Sequence, residues 1–306
     1  MKSNAIIRIV LFSLAILVLL GILASVLFVR AFMIDLSESG IVDALHNVFE
    51  VRESDDIRID GSGRSGEYDG TQIHDIEIEW AAGTIVIQPG DTRNIYFEES
   101  AVSNSDYQLT TKRSGDKLSI KFCEEKVSSW GFGAKLNSDV SKDLVITVPR
   151  DWNCDTLEID AAAARVEITD LQINELDFDG ASGELLLDNC TIVNLDVDTA
   201  SGDVEFSGVL KQLDFDAASA KFHGEFYQVP QQLYLDSMSG DVDLILPEYC
   251  GFEMDYDTLS GSFNSDFAFS SNGTSYRCGN GDCQIKVSGM SADVNIRKGV
   301  SVPQSP

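Results

Sequence analysis

The sequence is poor in basic residues and in proline, and each shortage excludes a class of protein. It has 22 Lys and Arg residues against 50 Asp and Glu residues, which gives a formal net charge of −28. We therefore expect no nucleic-acid partner, because binding to phosphates needs a basic surface. Only six prolines and 24 glycines occur among the 306 residues, so the chain is neither collagenous nor dominated by linkers. Its charge suits cationic peptides, metal ions or basic protein patches.

Motifs that carry common catalytic chemistry are also missing. The three histidines, His46, His74 and His223, are scattered, and no Gly-x-Ser-x-Gly sequence presents a serine nucleophile. No glycine-rich loop that opens a helix is present to cradle a phosphate. We assign no catalytic residue, and we expect neither enzymatic activity nor a nucleotide or organic cofactor.

Six cysteines are present, and two of them are close in sequence. Cys278 and Cys283 are separated by four residues, with no matching pair and no nearby His, which disfavours zinc. In an oxidising compartment we expect the two to form a small-loop disulfide. The other four are expected to be buried thiols whose pairing the sequence leaves open: Cys123, Cys154, Cys190 and Cys250.

One long apolar run lies near the start of the chain. Residues 9–29 carry no charge over 21 positions, which is long enough to span a bilayer as a helix. Lys2 and Arg8 precede this run and an acidic stretch soon follows Arg30, so we place the N-terminus in the cytoplasm and the remainder outside the cell. A cleaved signal peptide is the alternative, but the run is long for one and no clear Ala-x-Ala site follows it. No Cys follows the run, so a lipoprotein anchor is excluded.

A pattern with a period near 20 residues recurs from Leu157 to Ile296. The copies start at positions 157, 176, 195, 213, 233, 254 and 285, with spacings of 19, 19, 18, 20, 21 and 31 residues. A fixed period of this length is typical of repeat architectures. The last spacing is stretched by a segment rich in Ser, Gly and Asn.

Within one repeat, sites are numbered from the first apolar residue. Sites 1, 3, 10 and 12 are usually apolar, as in Leu195, Val197, Val204 and Phe206. This alternation has a period of two, so each repeat holds two short strands with one face inward. Site 8 is Gly or Ala, usually after Ser, which allows a tight turn. One repeat buries too little to fold alone. The prediction is an all-β fold, a β-solenoid with rungs about 4.8 Å apart, whose handedness and number of faces stay open.

An earlier copy of the pattern spans Ile76 to Ile87, 81 residues before Leu157. The interruption contains strand-like runs at 94–98, 107–112, 117–122 and 143–148, with a hairpin turn at residues 114–116. We expect these strands to cap the first rung, which would otherwise expose an unpaired edge.

These features divide the chain into six segments. Residues 39–49 form an expected amphipathic helix, which could lie on the membrane or pack on the domain, and residues 60–70 read as a loop. The segments are a short cytoplasmic tail at 1–8, a transmembrane helix at 9–29, a juxtamembrane helix and loop at 30–70, the first solenoid repeat with flanking or capping strands at 71–156, the repeat array at 157–297, and a loose tail at 298–306.

Acidic residues recur at sites 2 and 4, which face outward if sites 1 and 3 face inward. The pairs are Glu158/Asp160, Asp177/Asp179, Asp196/Asp198, Asp214/Asp216 and Asp255/Asp257. Weak calcium binding is one hypothesis, with Asp179, Asp198, Asp216 and Asp236 as the candidate ligands. A solvated face with turn-capping aspartates is the other, because two charges about 5 Å apart in water repel by only roughly 0.8 kcal/mol. An acid/base pair for glycoside hydrolysis would need a cleft, which nothing in the sequence indicates.

The signature hydrophobic-x-hydrophobic-Asp-x-x-Ser-Gly-Asp-Val occurs at Leu195–Val204 and Leu233–Val242, after a lead-in at Leu144–Pro149. It resembles the bacterial "putative adhesin" family of unknown function, over roughly residues 76–297. The resemblance implies a β-solenoid-like ectodomain on cell-envelope proteins, often membrane-tethered and often near envelope-stress regulators. It implies no catalytic residues.

We therefore predict a non-enzymatic, single-pass protein of the cell membrane that presents an acidic solenoid outside the cell, as an adhesin-like binding or scaffold module linked to envelope-stress sensing. Expected partners are the membrane, through the N-terminal helix, and a cationic peptide or an envelope protein. Two alternatives stay open. One is an enzyme that acts on envelope polysaccharide from a β-helix scaffold, and the other is a signalling partner that acts through its transmembrane helix.

Overall fold

The computed structural model describes residues 57–60, 63–100, 108–123 and 141–299. Within these ranges every regular element is a strand, which confirms the predicted all-β class. The strands are β1 Ile57–Asp60, β2 Gly63–Asp69, β3 Asp75–Gly90, β4 Asn94–Glu99, β5 Thr110–Ser114, β6 Lys117–Lys121, β7 Leu144–Pro149, β8 Cys154–Thr169, β9 Gln172–Ser219, β10 Phe222–Phe226, β11 Gln232–Pro247, β12 Phe252–Ser260, β13 Phe263–Ser265, β14 Ser270–Asn272, β15 Ser275–Cys278 and β16 Cys283–Gly299.

The repeats stack in parallel with equivalent sites side by side. Leu157 of β8 pairs with Leu176 of β9, and Leu233 of β11 pairs with Ile285 of β16. Side chains at sites 1, 3, 10 and 12 line the core in columns, and most are less than 5% exposed. The inward alternation therefore forms one continuous apolar interior, as the repeat pattern predicts.

Each rung has a first arm (sites 1–4), a turn segment (sites 5–8) and a second arm (sites 9–12). The backbone stays extended through the turn segments, so β9 runs unbroken for 48 residues and contains two full copies of the repeat and the first arm of a third. At site 8 the chain passes close to its neighbour. A Cβ built on Gly202, which has a φ of +140°, would lie 2.0 Å from the carbonyl O of Gly183 on the preceding rung. Glycine is therefore needed at this position for two reasons, because the φ is left-handed and because a side chain would overlap the backbone of the preceding rung.

The stack departs from sequence order at its end. The spatial order is β11, β16, β12, so the last repeat inserts between the two preceding ones. Because β16 pairs in parallel along both arms of β11, it extends the stack with a full rung. The shorter β12 and the three-residue β13 then form the outermost rung, against which the β14–β15 hairpin packs. This order places the broken rung, rather than a long unpaired edge, at the terminus.

The interruption supplies another rung, split into two strands. β6 pairs in parallel with the first arm of β3, and β7 pairs in parallel with its second arm. Leu118, Ile120, Leu144 and Ile146 occupy the inward sites and are fully buried. β5 and β4 then add antiparallel strands, and β5 turns into β6 at Gly115–Asp116, which confirms the predicted hairpin.

Residues 60–70 were expected to be a loop, but most of them form β2, which pairs with β1 and β4. Gly66 lies opposite Phe97, where a Cβ would stand 2.5 Å from the ring. A glycine thus makes room for a buried aromatic, and cross-strand pairing overrides the weak local strand propensity of this stretch. At the other end, β16 continues to Gly299, two residues beyond the predicted array.

Four of the predicted segments lie largely outside the described ranges. They are the cytoplasmic tail at 1–8, the transmembrane helix at 9–29, the amphipathic helix at 39–49 and most of the tail at 298–306. Among the residues described, no helix has the length and apolar character needed to cross a membrane.

Candidate functional site

The outward side chains of the first arms form an acidic surface, which we call the acidic face. Parallel pairing places Glu158 beside Asp177 and Asp160 beside Asp179, and further along it places Asp216 beside Asp236. Neighbouring rungs are about 4.8 Å apart, so the carboxylates form two rows along the stack. The face comprises Glu158, Asp160, Asp177, Asp179, Asp196, Asp198, Asp214, Asp216 and Asp236.

The carboxylates raise one another's pKa. Partial burial, followed by the charges of Asp179, Glu158 and Glu79, raises the pKa of Asp160 from 3.8 to about 6. Burial first and neighbouring carboxylates second also raise the pKa of four further residues: Asp177, Asp179, Asp196 and Asp216. The face therefore holds negative charge that a bound cation would stabilise.

Basic side chains flank the acidic face but do not neutralise its centre. At its N-terminal end, Lys117 lies 3.0 Å from Glu77 and 3.1 Å from Glu158, and Lys121 lies 2.8 Å from Glu79. On β16, Lys286 lies 6.0 Å from the Tyr234 ring centroid. From Asp177 to Asp216, no site 2 or site 4 carboxylate forms an ion pair with a basic residue that the structure describes.

The four calcium candidates lie in one row rather than in a cage. Asp179, Asp198, Asp216 and Asp236 occupy site 4 on successive rungs. Calcium takes six to eight oxygen ligands around one point. Within the described residues, no group of three or more His, Cys, Asp or Glu side chains is close enough to hold a metal ion. The row offers carboxylates in pairs, so calcium binding stays a prediction and would be weak.

We expect Asp160→Asn to stabilise the protein near pH 7 and to have little effect near pH 4. Because the folded-state pKa of Asp160 is raised from 3.8 to about 6, the stabilisation from its proton is fully present below about pH 3.8 and is lost as the pH rises through 6. The side chain is partly exposed, so the gain at pH 7 is about 1 kcal/mol after allowance for solvent screening. Urea unfolding at both pH values, with Asp203→Asn as the control on the second arm, measures it. An equal effect of Asp160→Asn at both pH values would contradict the prediction.

The serines at site 7 hydrogen-bond between rungs. Ser201 donates to the carbonyl O of Ala181 at 3.4 Å, and Ser260 donates to that of Met290 at 3.2 Å. Ser182 makes the equivalent bond to Ala162. These serines therefore link the turn segments of neighbouring rungs.

The structure does not pair Cys278 with Cys283. Both are free, buried thiols, and they flank Phe252 from opposite sides, Cys278 through β15 and Cys283 through β16. Two strand spacings separate their Cα atoms by roughly 10 Å. A disulfide requires about 4.4–6.8 Å, so this pairing would need a rearrangement of the outermost rung. The four cysteines expected to be buried thiols, Cys123, Cys154, Cys190 and Cys250, are free and buried.

Two features of the structure were not predicted from the sequence. Lys142 and Glu99 form a fully buried ion pair beside the split rung, with Nζ 2.5 Å from Oε2. On the opposite end of the stack, Met238, Met290 and Leu259 occupy site 6 with their side chains in solvent. An alignment of the repeats shows Ala at site 6 in the earlier copies, so the change to larger residues in the last three copies could have been found from the sequence. No sequence pattern could have indicated the ion pair, because 43 residues separate its partners.

Solved structures with a similar arrangement include two that carry adhesion-related descriptions. A "putative cell adhesion protein" from Clostridium sporogenes is 10% identical, with a TM-score of 0.32, and the match covers 77% of this chain and 98% of that one. A "putative adhesin" from Bacteroides fragilis is 13% identical, with a TM-score of 0.40, over 80% and 98% of the respective chains. At such scores these likenesses support no functional conclusion.

A third solved structure is described as a "putative lipid binding protein" from Parabacteroides distasonis. It is 14% identical, with a TM-score of 0.37, over 78% of this chain and 97% of that one. No curated protein matches this chain.

A family model supplies the assignment. The model described as "Toastrack DUF4097" matches residues 73–297, from just before β3 to the end of the last repeat. This range is close to the 76–297 over which the Ser-Gly-Asp-Val signature indicated an adhesin-like family of unknown function. The match covers more than half of the 306 residues, and the chain therefore belongs to the Toastrack DUF4097 family.

Proposed function

We propose that this protein is a non-enzymatic, adhesin-like binding module that captures cationic ligands on its acidic face. The observation that carries the proposal is the two rows of site 2 and site 4 carboxylates between Asp177 and Asp216, which form no ion pair with a basic side chain among the described residues. Adjacent rungs repeat the same charge at a fixed spacing. A ligand with regularly spaced amines matches such a row better than a single small ion does.

The raised pKa values support this function. A carboxylate whose pKa is raised by burial and by its neighbours is stabilised when a positive charge approaches it, so ligand binding and proton release are coupled. The net charge of −28 adds a long-range field that accelerates the approach of cations at low salt. Both effects weaken as salt increases.

The predicted topology sets where this module would act. The uncharged run at residues 9–29 would anchor the chain in the cell membrane, with the N-terminus in the cytoplasm and the solenoid outside. In that position the acidic face would meet cationic peptides or basic patches of envelope proteins. A link to envelope-stress sensing follows if occupancy of the face is transmitted to a membrane partner.

Calorimetric titration tests the proposal directly. The full chain, held in phosphatidylcholine nanodiscs at about 0.15 M salt, is titrated with oligolysine and then with calcium chloride. We expect saturable oligolysine binding and weak calcium binding. Replacement of Asp179, Asp198 and Asp216 by Asn should weaken oligolysine binding at least ten-fold.

The control makes the same change in charge away from the acidic face, in the same part of the stack: Asp203→Asn and Glu205→Gln on a second arm, and Glu225→Gln directly after the second arm of the next repeat. It should bind oligolysine within about two-fold of the native protein, because these carboxylates lie off the acidic face. Equal losses in the two triple variants would show that net charge alone drives binding. The absence of oligolysine binding to the native chain would refute the proposal.

A further inference from the structure

Three large apolar side chains lie in solvent on adjacent rungs, and we call them the turn stripe. Met238 is 57% exposed, Met290 is 52% exposed and Leu259 is 79% exposed. The pairs on either side of each one, such as Ser237 with Gly289 and Ser239 with Ser291, place Met238 beside Met290. The register of β12 with β16 places Leu259 beside Met290 in the same way. The stripe thus runs along the stack for about 10 Å.

The fold does not require large side chains here. The same site holds Ala181, Ala200 and Ala218 on the earlier rungs, where the turn segment forms equally well and the methyl groups are exposed. Large apolar side chains appear only on the last three rungs, β11, β16 and β12. A contiguous exposed apolar surface that folding does not explain indicates a contact with another molecule. Methionine is suited to such a contact because its side chain is flexible and polarizable.

Carboxylates border the turn stripe on both sides. Asp236 and Asp257 lie at site 4, at the end of the first arms, and Asp241 and Asp293 lie at site 9, at the start of the second arms. Asp241 forms an ion pair with Lys221 at 3.8 Å. The surface is therefore an apolar strip between two acidic margins. Its complement is a helix with an apolar face bordered by Lys or Arg on both sides.

We propose that the turn stripe binds a basic amphipathic helix of a partner molecule, with the apolar face of the helix on Met238, Met290 and Leu259. An α-helix with its side chains is about 10–12 Å wide, and its basic residues would reach the Asp margins. This inference rests on the proposed function in one respect, since it names a class of cationic partner. It differs from the proposed function because it uses the turn stripe rather than the acidic face, and because the partner must present an apolar face.

Charge disfavours the other occupants. A second copy of this chain would bring carboxylate margins against each other, and an anionic bilayer would face the same repulsion. The chain's own segment at 39–49, predicted to be an amphipathic helix, carries Asp43 and contains neither Lys nor Arg. It therefore lacks the charge that the margins would bind.

The test compares two labelled peptides of one composition. One is an 18-residue Leu/Lys peptide patterned as an amphipathic helix, and the other is its scrambled form. Fluorescence anisotropy is measured with the full chain in phosphatidylcholine nanodiscs, and empty discs provide the blank. We expect the patterned peptide to bind at least ten-fold more tightly than the scrambled one. Replacement of Met238, Met290 and Leu259 by Ser should abolish that preference while oligolysine binding is unchanged.

A matched control removes exposed rings away from the stripe: Tyr96→Ser, Tyr227→Ser and Tyr249→Ser. It should keep the preference for the patterned peptide. The proposal is overturned if the Ser variant of the stripe discriminates as the native chain does. It is also overturned if that variant instead loses only flotation with phosphatidylglycerol vesicles or only self-association in sedimentation. If the native chain did not bind oligolysine but still preferred the patterned peptide, the proposed function would be refuted and the stripe proposal would stand.

Discussion

Replacement of Lys142 by Met is expected to lower the free energy of unfolding by about 3–5 kcal/mol, because it leaves a buried carboxylate without its cation. Both side chains of the Lys142–Glu99 pair are fully buried, with Nζ 2.5 Å from Oε2. The ammonium also donates to the carbonyl O of Phe122 and lies 4.7 Å from the Trp80 ring centroid. Urea unfolding of the full chain measures the loss.

The buried pair joins segments around the split rung that lie far apart in the sequence. Glu99 is the last residue of β4 and accepts hydrogen bonds from the backbone N–H of Arg64 at 3.1 Å and of Leu109 at 3.0 Å. The carbonyl O of Lys142 accepts the indole N–H of Trp80 at 3.1 Å. Burial lowers the pKa of Lys142, and the Glu99 carboxylate opposes that shift. The ammonium is therefore held by its partner rather than by water.

Two controls isolate the charge. The double variant Lys142→Met/Glu99→Gln removes both charges but keeps an oxygen acceptor for the two N–H groups, so it should recover at least half of the loss. Arg150→Met breaks an exposed pair, Arg150–Asp91 at 2.8 Å, and should leave the free energy of unfolding nearly unchanged, because solvent screens both charges. If Lys142→Met cost as little as Arg150→Met, the pair would contribute nothing beyond an exposed one.

Gly202→Ala is expected to lower the free energy of unfolding by about 3–5 kcal/mol, through backbone strain and steric overlap. The φ of Gly202 is +140°, and a Cβ would stand 2.0 Å from the carbonyl O of Gly183. That oxygen belongs to the backbone of the preceding rung, so it cannot rotate away as a side chain would. Urea unfolding measures the loss, and the midpoint temperature of thermal unfolding should fall in parallel.

Gly115→Ala is the matched control. Its φ is +68°, but nothing lies within 4 Å of the position a Cβ would take. It therefore tests the cost of the backbone conformation alone, which we expect to be about 1–2 kcal/mol. Similar losses at the two glycines would show that stacking between rungs does not restrict site 8.

Alanine at site 8 shows how the fold resolves this restriction elsewhere. Ala164, Ala220 and Ala292 are buried at the same site. None of them has a positive φ, since among the described residues only Asp170 and Asn189 combine a positive φ with a side chain. The turn segment thus has two backbone forms, and a glycine in the left-handed form cannot be exchanged for alanine without a change of form.

The repeat pattern determined the interior and the surface of each rung. The inward residues Leu195, Val197, Val204 and Phe206 and the outward Asp196 and Asp198 follow from the sequence alone, because alternation along an extended chain is a local property. The parallel register followed from the same pattern, since only one alignment brings like sites together.

Only the tertiary structure decided which strand lies beside which at the two ends of the stack. The insertion of β16 between β11 and β12, the split rung of β6 and β7, and the recruitment of β2 all depend on pairings between distant segments. The same is true of the Lys142–Glu99 pair and of the separation of Cys278 from Cys283. Alternation specifies which face of a strand is buried, but edge pairing is made through backbone groups that every residue carries, so its partners are chosen by the whole fold.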